Sequence, residues 1–287
     1  MKLKLAGRTV DLSTAKIMGV ISLEDNEESA LEKVVERALK MRDAGAEFLE
    51  IGVRDRTGTL GVQSQEGRLL PAIRAICDET GLTVGVHTSH PAIMEKANAA
   101  GASFIVDSNA LRAEGAVQMV AKLKIPVCLT FEQNLRLEQD RDPIATVSEF
   151  FYERIDACLN AGINRRDIII DPALGSVCRM DSRLKLLGRM SSFKSFALPL
   201  SIPIPRILPF EDLFLKEHPT VALTLALYCV DRGVNIIRTP NVSDMAMALA
   251  AWQLAAQTAR PHQLSKGIIR RLRAIRDRFR ERRSHGK

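Results

Sequence analysis

Polar side chains stand directly after most of the short apolar runs of this 287-residue chain. The residues at these positions that can ionise or form hydrogen bonds are Ser22, Glu24, Asp25, Arg54, Asp55, His87, Asp107, Glu132, Asp171, Arg206, Arg238 and Asn241. Together they form a polar set of mixed charge. Such a set can bind a small polar or anionic ligand, but its spacing alone does not identify that ligand.

Three members of the set have side chains suited to a specific task. The planar guanidinium of Arg238 fits a phosphate or carboxylate, which favours anion binding; the alternative is a salt bridge to an acid such as Asp171. Asp171 precedes Pro172 and either binds a ligand or caps the following turn. Because histidine ordinarily titrates near neutrality, His87 can serve as a general base or a metal ligand, although a hydrogen-bonded structural role is the commoner one.

The elements that must position these residues alternate between β-branched-rich runs and longer amphipathic stretches, a pattern typical of β/α units around a parallel sheet. We predict eight strands, at residues 16–22, 47–53, 82–87, 103–107, 126–131, 167–171, 198–204 and 234–238. Eight strands with intervening helices match a closed (β/α)₈ barrel better than an open doubly wound sheet. In such barrels the chemistry lies at the carboxyl ends of the strands, where the polar set is found.

Four glycines support the repeated unit. Gly45, Gly101, Gly162 and Gly233 each separate the end of a predicted helix from the next strand. Helices often end in a residue with a left-handed backbone, which glycine adopts without a penalty from Cβ. Apart from a hairpin-like segment at the N-terminus, residues 1–259 contain no linker, and we predict that they form one domain.

Composition indicates a protein of the cytosol. The five cysteines are scattered without a C-x-x-C pair, which argues against a disulfide framework or a structural metal site. The N-terminus lacks the apolar core of a signal peptide, and no apolar run approaches the roughly 20 residues that span a bilayer. We therefore expect a cytoplasmic protein with no transmembrane segment.

The positive charge of the chain lies in its C-terminal tail. Residues 260–287 contain eleven Lys/Arg against two acids, so the rest of the chain carries −2 of the total of +7. Ile268, Leu272, Ile275 and Phe279 recur every three to four residues, which predicts a basic amphipathic C-terminal helix. Its arginines form either a solvated surface or a contact for a polyanion, an acidic protein or an anionic membrane.

Several segments, in order along the chain, resemble the dihydropteroate synthase family. They are KIMGVIS, AGAEFLEIG, VGVHTSHPAIMEKANAAGASFIVD, IPVCL, IIIDPALG, LPLSIPIPRIL and RGVNIIRTPNV. The resemblance implies a (β/α)₈ barrel, a homodimer and the condensation of dihydropterin pyrophosphate with p-aminobenzoate. It also implies Mg²⁺ beside an asparagine after the first strand, and a pterin bound deep in the barrel.

This sequence keeps a few residues of the family pattern and has different residues at other positions of it. Asp171 stands at the position of the family's pterin-binding aspartate, and Arg238 at that of its phosphate-binding arginine. Arg206 matches the arginine of the family's S-R-K motif. The replaced positions are Ser22 for the metal-binding asparagine, His87 for an aspartate, Val106 for an asparagine, Ile207 for a lysine and Pro240 for a phosphate-binding histidine.

These replacements predict a divergent member of the family whose ordinary condensation is lost or strongly impaired. Each pterin group left unpaired costs roughly 1–3 kcal/mol. The predicted ligand-binding residues are Asp171, Arg238, Arg206, His87 and Ser22, for a pterin-like or anionic ligand, with no metal site. Two alternatives stay open: a weak but genuine synthase, and a non-catalytic scaffold or regulator acting through the basic C-terminal helix.

Overall fold

The barrel is built from short strands rich in β-branched residues, such as IIID and IIRT. The computed structural model describes residues 1–5, 7–24, 30–53, 61–131, 141–172, 180–204 and 219–258. The strands are β1 Lys2–Leu5, β2 Arg8–Asp11, β3 Lys16–Leu23, β4 Phe48–Val53, β5 Thr83–His87, β6 Phe104–Asp107, β7 Val127–Thr130, β8 Ile168–Asp171, β9 Ser201–Pro203 and β10 Ile236–Thr239. Each of the eight predicted strands is present within a few residues of its predicted bounds.

Amphipathic helices follow the strands and cover the outside of the barrel. They are α1 Leu31–Ala44, α2 Val62–Thr80, α3 Pro91–Ala99, α4 Ala116–Leu123, α5 Pro143–Asn160, α6 Met180–Gly188, α7 Pro219–Asp231 and α8 Val242–Thr258. The four predicted turn glycines all have positive φ, between 90° and 116°, as a left-handed backbone requires. In the described ranges, no helix is long and apolar enough to cross a membrane.

Parallel pairing closes the sheet almost completely. The strand order is β8-β7-β6-β5-β4-β3-β10-β9, and a parallel bridge between Ile170 and Leu200 joins β8 to the residues just before β9. The predicted fold class, a (β/α)₈ barrel, is thus confirmed. The strand predicted at 198–204 is shorter, Ser201–Pro203; the residues before it make an isolated bridge to β8, where the amide of Ile170 donates to the carbonyl oxygen of Pro199 over 3.0 Å.

The N-terminal hairpin packs against the inside of the barrel. Strands β1 and β2 are antiparallel, with Leu5 paired to Arg8. Their apolar residues form one hydrophobic cluster with the inward-facing side chains of the barrel, which comprises Leu3, Leu5, Val10, Leu12, Met18, Phe48, Phe104, Val106, Cys128, Ile169 and Ile236. The hairpin therefore covers the amino-terminal end of the barrel and leaves the carboxyl end for a site.

Alternate strands supply the layers inside the barrel, as expected for this fold. One layer consists of Phe48, Phe104, Ile169 and Ile236, from β4, β6, β8 and β10. Two residues further along the same strands, the next layer towards the carboxyl ends consists of Glu50, Val106, Asp171 and Arg238. The side-chain period of two in a strand places three charged groups in this second layer.

The basic helix predicted at 260–287 lies outside the described residues, so the division into a barrel of 1–259 and a tail stays a prediction.

Candidate functional site

Three charged side chains meet inside the barrel at its second layer. The guanidinium of Arg238 donates from Nε to Glu50 Oε2 over 2.7 Å and from Nη2 to Glu50 Oε1 over 2.8 Å. Its Nη1 donates to Asp171 Oδ2 over 2.5 Å. All three side chains are 5% exposed or less. Arg238 thus holds together carboxylates from β4 and β8, the two strands that lie second from its own on either side.

Burial and charge act in opposite directions on these groups. Burial alone would raise the pKa of Glu50, but the charge of Arg238 and the hydrogen bond from His87 outweigh it and hold that pKa well below its usual range. Burial would lower the pKa of Arg238, and the charges of Glu50 and Asp171 raise it instead. Glu50 is therefore ionised and accepts hydrogen bonds only.

His87 extends this network to the surface of the site. Its Nδ1 lies 2.8 Å from Glu50 Oε1, and its Nε2 lies 2.6 Å from Ser108 Oγ. The imidazole is 23% exposed, so the chain of contacts runs from a buried carboxylate to the barrel mouth. Gly52 pairs with His87 across β4 and β5, and a Cβ at Gly52 would lie only 3.0 Å from that of His87. Because glycine has no Cβ, position 52 does not collide with the side chain of His87.

The loop after β6 is held by a second buried carboxylate. Asp107 accepts a hydrogen bond from Ser89 Oγ and one each from the backbone N–H groups of Asn109 and Leu111, both over 2.8 Å. Burial raises the pKa of Asp107, although these hydrogen bonds oppose the rise. The guanidinium of Arg154 donates to two carbonyl oxygens of the same loop. This loop carries Ser108.

Thr130 places a further polar group inside the barrel. It pairs with Asp171 across β7 and β8, and its side chain is buried. Its Oγ1 has no hydrogen-bond partner among the residues that the structure describes. Buried hydroxyls are normally hydrogen-bonded, so one that bonds to none of the described residues is a candidate contact for a ligand.

The structure brings together three of the five predicted site residues. Asp171, Arg238 and His87 share the network around Glu50, and the salt bridge between Arg238 and Asp171, which the sequence left open, is present and buried. Ser22 lies half-buried near the end of β3, paired with Gly52. Arg206 lies outside the described residues, as do Arg54, Asp55 and Glu132.

Sequence reasoning missed Glu50, Ser108 and Thr130. Glu50 gave a usable signal: it is the one charged residue of FLEIGV and lies two positions from Phe48, on the same face of the strand. The carboxylate within hydrogen-bond distance of His87 is Glu50, in the middle of the neighbouring strand, whereas the acids of the polar set stand at or after strand ends. That contact depends on the barrel's register, which the sequence does not show.

The described residues fit a magnesium ion poorly. Ser22 offers one hydroxyl where the resemblance implies an asparagine, and Mg²⁺ prefers carboxylate, phosphate and water oxygens. Within the described ranges, no group of three or more His, Cys, Asp or Glu residues is arranged to hold a metal ion.

Comparison with known proteins agrees with this architecture. The family described as "Pterin binding enzyme" matches residues 22–240. The dihydropteroate synthase of Escherichia coli strain K12 is 28% identical over 267 residues, covering 87% of this chain and 94% of that protein. Among solved structures, Xanthomonas albilineans dihydropteroate synthase with 4-aminobenzoic acid is 29% identical with a TM-score of 0.82, covering 89% and 98% of the two chains.

A second solved structure extends the comparison to a pterin compound. The dihydropteroate synthase of Coxiella burnetii in complex with pteroic acid is 28% identical with a TM-score of 0.81, covering 90% of this chain and 99% of that one. The match of the family covers more than half of the chain and includes every strand of the barrel except most of β3. This chain therefore belongs to the pterin-binding enzyme family, on the (β/α)₈ barrel of the dihydropteroate synthases.

Proposed function

We propose that this dihydropteroate synthase-like protein keeps a small-ligand pocket inside its barrel but has lost, or strongly impaired, the condensation of dihydropterin pyrophosphate with p-aminobenzoate. The observation that carries the proposal is the pairing of Arg238. The resemblance assigns this arginine to phosphate binding, and here three of its nitrogens donate to the carboxylates of Glu50 and Asp171. A phosphate must compete with two buried anions for it.

The charge of the network supports the same conclusion. Glu50 and Asp171 contribute two negative charges and Arg238 one positive charge, so the three residues carry −1 when His87 is neutral. Charges in a poorly solvated interior interact strongly, and a pyrophosphate brings several more negative charges. Within the part of the chain that the structure describes, this cluster is therefore better suited to a neutral or donor-rich group than to an anion.

Fewer side chains match a pterin ring than in the family pattern. The resemblance implies an aspartate, an asparagine, an aspartate and a lysine; this chain has His87, Val106, Asp171 and Ile207. Val106 is fully buried within the hydrophobic cluster of the barrel. Three lost partners at roughly 1 kcal/mol each, the low end of the range, already correspond to more than a hundredfold in affinity.

Two observations support continued binding of a small, pterin-like ligand. The buried hydroxyl of Thr130 lies beside Asp171, which keeps the carboxylate of the family pattern. The relative from Coxiella burnetii is described in complex with pteroic acid. Thermal unfolding with pterins, phosphate and pyrophosphate tests this part: a ligand at 100 times its dissociation constant raises the free energy of unfolding by about 2.7 kcal/mol.

The relatives are described as dihydropteroate synthases, and this favours the alternative function of a weak but genuine synthase. Expression in a bacterial strain that lacks its own dihydropteroate synthase distinguishes the two. We expect no growth without added folate products, beside full growth with the Escherichia coli relative expressed from the same vector. Growth at a rate comparable to that control would contradict the proposal.

Two expectations remain predictions. Homodimerisation follows from the family resemblance, and a polyanion or acidic-protein contact follows from the basic segment 260–287. Deleting residues 260–287 tests the second: the barrel should stay folded while binding to a heparin column is lost. Unchanged retention on that column would argue against the scaffold role.

A further inference from the structure

Ser108, His87 and Glu50 form a chain of contacts that the pterin site does not require. Ser108 Oγ lies 2.6 Å from His87 Nε2, and His87 Nδ1 lies 2.8 Å from Glu50 Oε1. A hydroxyl, an imidazole and a carboxylate in this order and at these distances have the arrangement of an activated serine nucleophile. The three residues come from the loop after β6, the end of β5 and the middle of β4.

The direction of the hydrogen bonds follows from the carboxylate. Glu50 is ionised and can only accept, so Nδ1 of His87 carries the proton of that contact. In the neutral ring Nε2 then has no proton and accepts the hydrogen bond of the Ser108 hydroxyl. This is the tautomer in which a histidine can take a proton from serine. Glu50 is itself fixed by two hydrogen bonds from Arg238.

The loop that carries Ser108 has an unusual and well-supported backbone. Ala110 and Leu111 both have positive φ, 48° and 59°, a conformation that side-chain-bearing residues seldom adopt. Asp107 bonds to two amides of this loop, and the buried Arg154 donates from Nε to the carbonyl oxygen of Ala110 over 2.8 Å. Strained backbone of this kind persists where surrounding contacts hold it, and it is concentrated at functional sites.

Ser108 and His87 are both partly exposed at the carboxyl end of the barrel, whereas Glu50 is buried beneath them. The register of β5 and β6 pairs His87 with Val106, two residues before Ser108. A substrate entering the mouth therefore meets the hydroxyl and the imidazole first. This is the end of the barrel at which such folds carry out chemistry.

We propose that Ser108 is a nucleophile for acyl transfer from small carboxylic esters, with His87 as its general base and Glu50 as the residue that positions His87. Ser108 Oγ bonds to the ester carbonyl carbon while its proton passes to Nε2 of His87. The ester C–O bond then breaks, and the leaving alcohol takes that proton. Water attacks the acyl-serine, gives a proton to Nε2, and Ser108 recovers it as a carboxylic acid is released.

The charge of the site selects the substrate class. Among the residues that the structure describes, Glu50, Asp171 and Arg238 together carry −1, and this charge favours a neutral or cationic ester over an anionic one. Acetyl and other short neutral acyl esters satisfy this condition. We expect p-nitrophenyl acetate to be cleaved and the corresponding succinate half-ester to be cleaved at least tenfold more slowly.

Covalent labelling of the full chain tests the proposal. A neutral fluorophosphonate should react with Ser108, with loss of fluoride, and mass spectrometry of the digested protein should place the adduct on the peptide that contains it. Ser108→Ala should abolish the label. His87→Gln should slow labelling by about 100-fold or more, the usual contribution of a general base.

The chain offers a matched control at the other end of the same strand. Ser103 immediately precedes β6, and its hydroxyl donates to the carbonyl oxygen of Gly101 rather than to an imidazole. Ser103→Ala should leave the rate of labelling unchanged. Thermal unfolding of each variant shows whether it is folded.

The positioning role of Glu50 has its own readout. Glu50→Gln should lower kcat for p-nitrophenyl acetate at least tenfold when the rate is divided by the concentration of sites that the fluorophosphonate labels at completion, a correction that removes any unfolded fraction. A label on another residue, or equal labelling rates in wild-type and His87→Gln protein, would overturn the proposal. Pterin binding is measured separately, so either proposal can fail without the other.

Discussion

On strand β4 Phe48 and Glu50 both face the inside of the barrel, and on β10 Ile236 and Arg238 do the same. The first member of each pair belongs to an apolar layer next to the N-terminal hairpin. The second belongs to a charged layer next to the mouth. The two layers are separated by one pleat, yet the first is held by packing and the second by ion pairs.

This difference indicates that the apolar layer stabilises the barrel, whereas the charged layer serves function. Apolar burial stabilises a barrel in proportion to the area removed from water, at roughly 25 cal/mol per Å². Buried ion pairs often contribute little net stability, because desolvation offsets their attraction. A charged layer at the mouth is therefore better explained by ligand binding or chemistry than by folding.

The largest expected effect comes from removing the cation of the charged layer. Arg238→Met removes the guanidinium that pairs with the buried carboxylates of Glu50 and Asp171, and we expect the free energy of unfolding to fall by about 3–5 kcal/mol. Chemical denaturation at pH 7 measures it. Arg238→Met combined with Glu50→Met and Asp171→Leu should restore wild-type stability or exceed it by about 1–4 kcal/mol. A triple variant less stable than the single one would show that the charged layer is itself a stabilising element.

The apolar layer should respond to volume instead of charge. A Cβ at Gly85 would lie 2.1 Å from the ring of Phe104, which itself packs edge-to-face on Phe48. Gly85→Ala should therefore lower the free energy of unfolding by about 1–3 kcal/mol through overpacking.

Gly67, exposed within α2 with nothing near its missing Cβ, is the matched control for that substitution. Gly67→Ala should raise the free energy of unfolding by about 0.5–1 kcal/mol, since alanine favours a helix. Equal signs at the two positions would contradict the close approach of Phe104 to Gly85.

The sequence predicts the strands of the barrel but not the partners within the charged layer. Runs rich in β-branched residues predicted all eight barrel strands, and four glycines marked the helix ends that precede alternate strands. Asp171, His87 and Arg238 were placed at strand ends correctly. Glu50 was missed because its importance comes from Arg238, 188 residues away in the chain, and only the closed register brings them together. Ser108 was missed for the same reason, since its partner lies on another strand.

The charged layer should also weaken in acid in a way that the apolar layer does not. Because the pKa of Glu50 is lowered on folding from its ordinary value of 4.5, the unfolded chain binds a proton first as the pH falls. The stability from Glu50 is complete above about pH 5.5 and decreases as the pH falls, by up to about 1.4 kcal/mol per pH unit.

Denaturation of wild-type and Glu50→Gln protein at pH 7 and pH 4 measures this contribution. The difference in unfolding free energy between them should be larger at pH 7. Glu36→Gln, on the exposed surface of α1, is the control and should show a much smaller trend, because solvent screens its ion pair with Lys40. A difference that is constant with pH would mean that Glu50 is not ionised in the folded protein.

The smallest effect on stability is expected at Thr130. Thr130→Val removes a buried hydroxyl that has no partner among the described residues, so unfolding without ligand should change by less than about 1 kcal/mol, towards greater stability. The same variant should lose the thermal shift produced by a bound pterin. A retained shift would remove Thr130 from the ligand site.

Turnover tests most directly whether the charged layer has impaired the condensation reaction of the family. Purified protein is incubated with dihydropterin pyrophosphate, p-aminobenzoate and Mg²⁺, with the Escherichia coli relative as the reference, and dihydropteroate is measured. We predict a rate at least a hundredfold below the reference. A rate within tenfold of the reference would contradict the account.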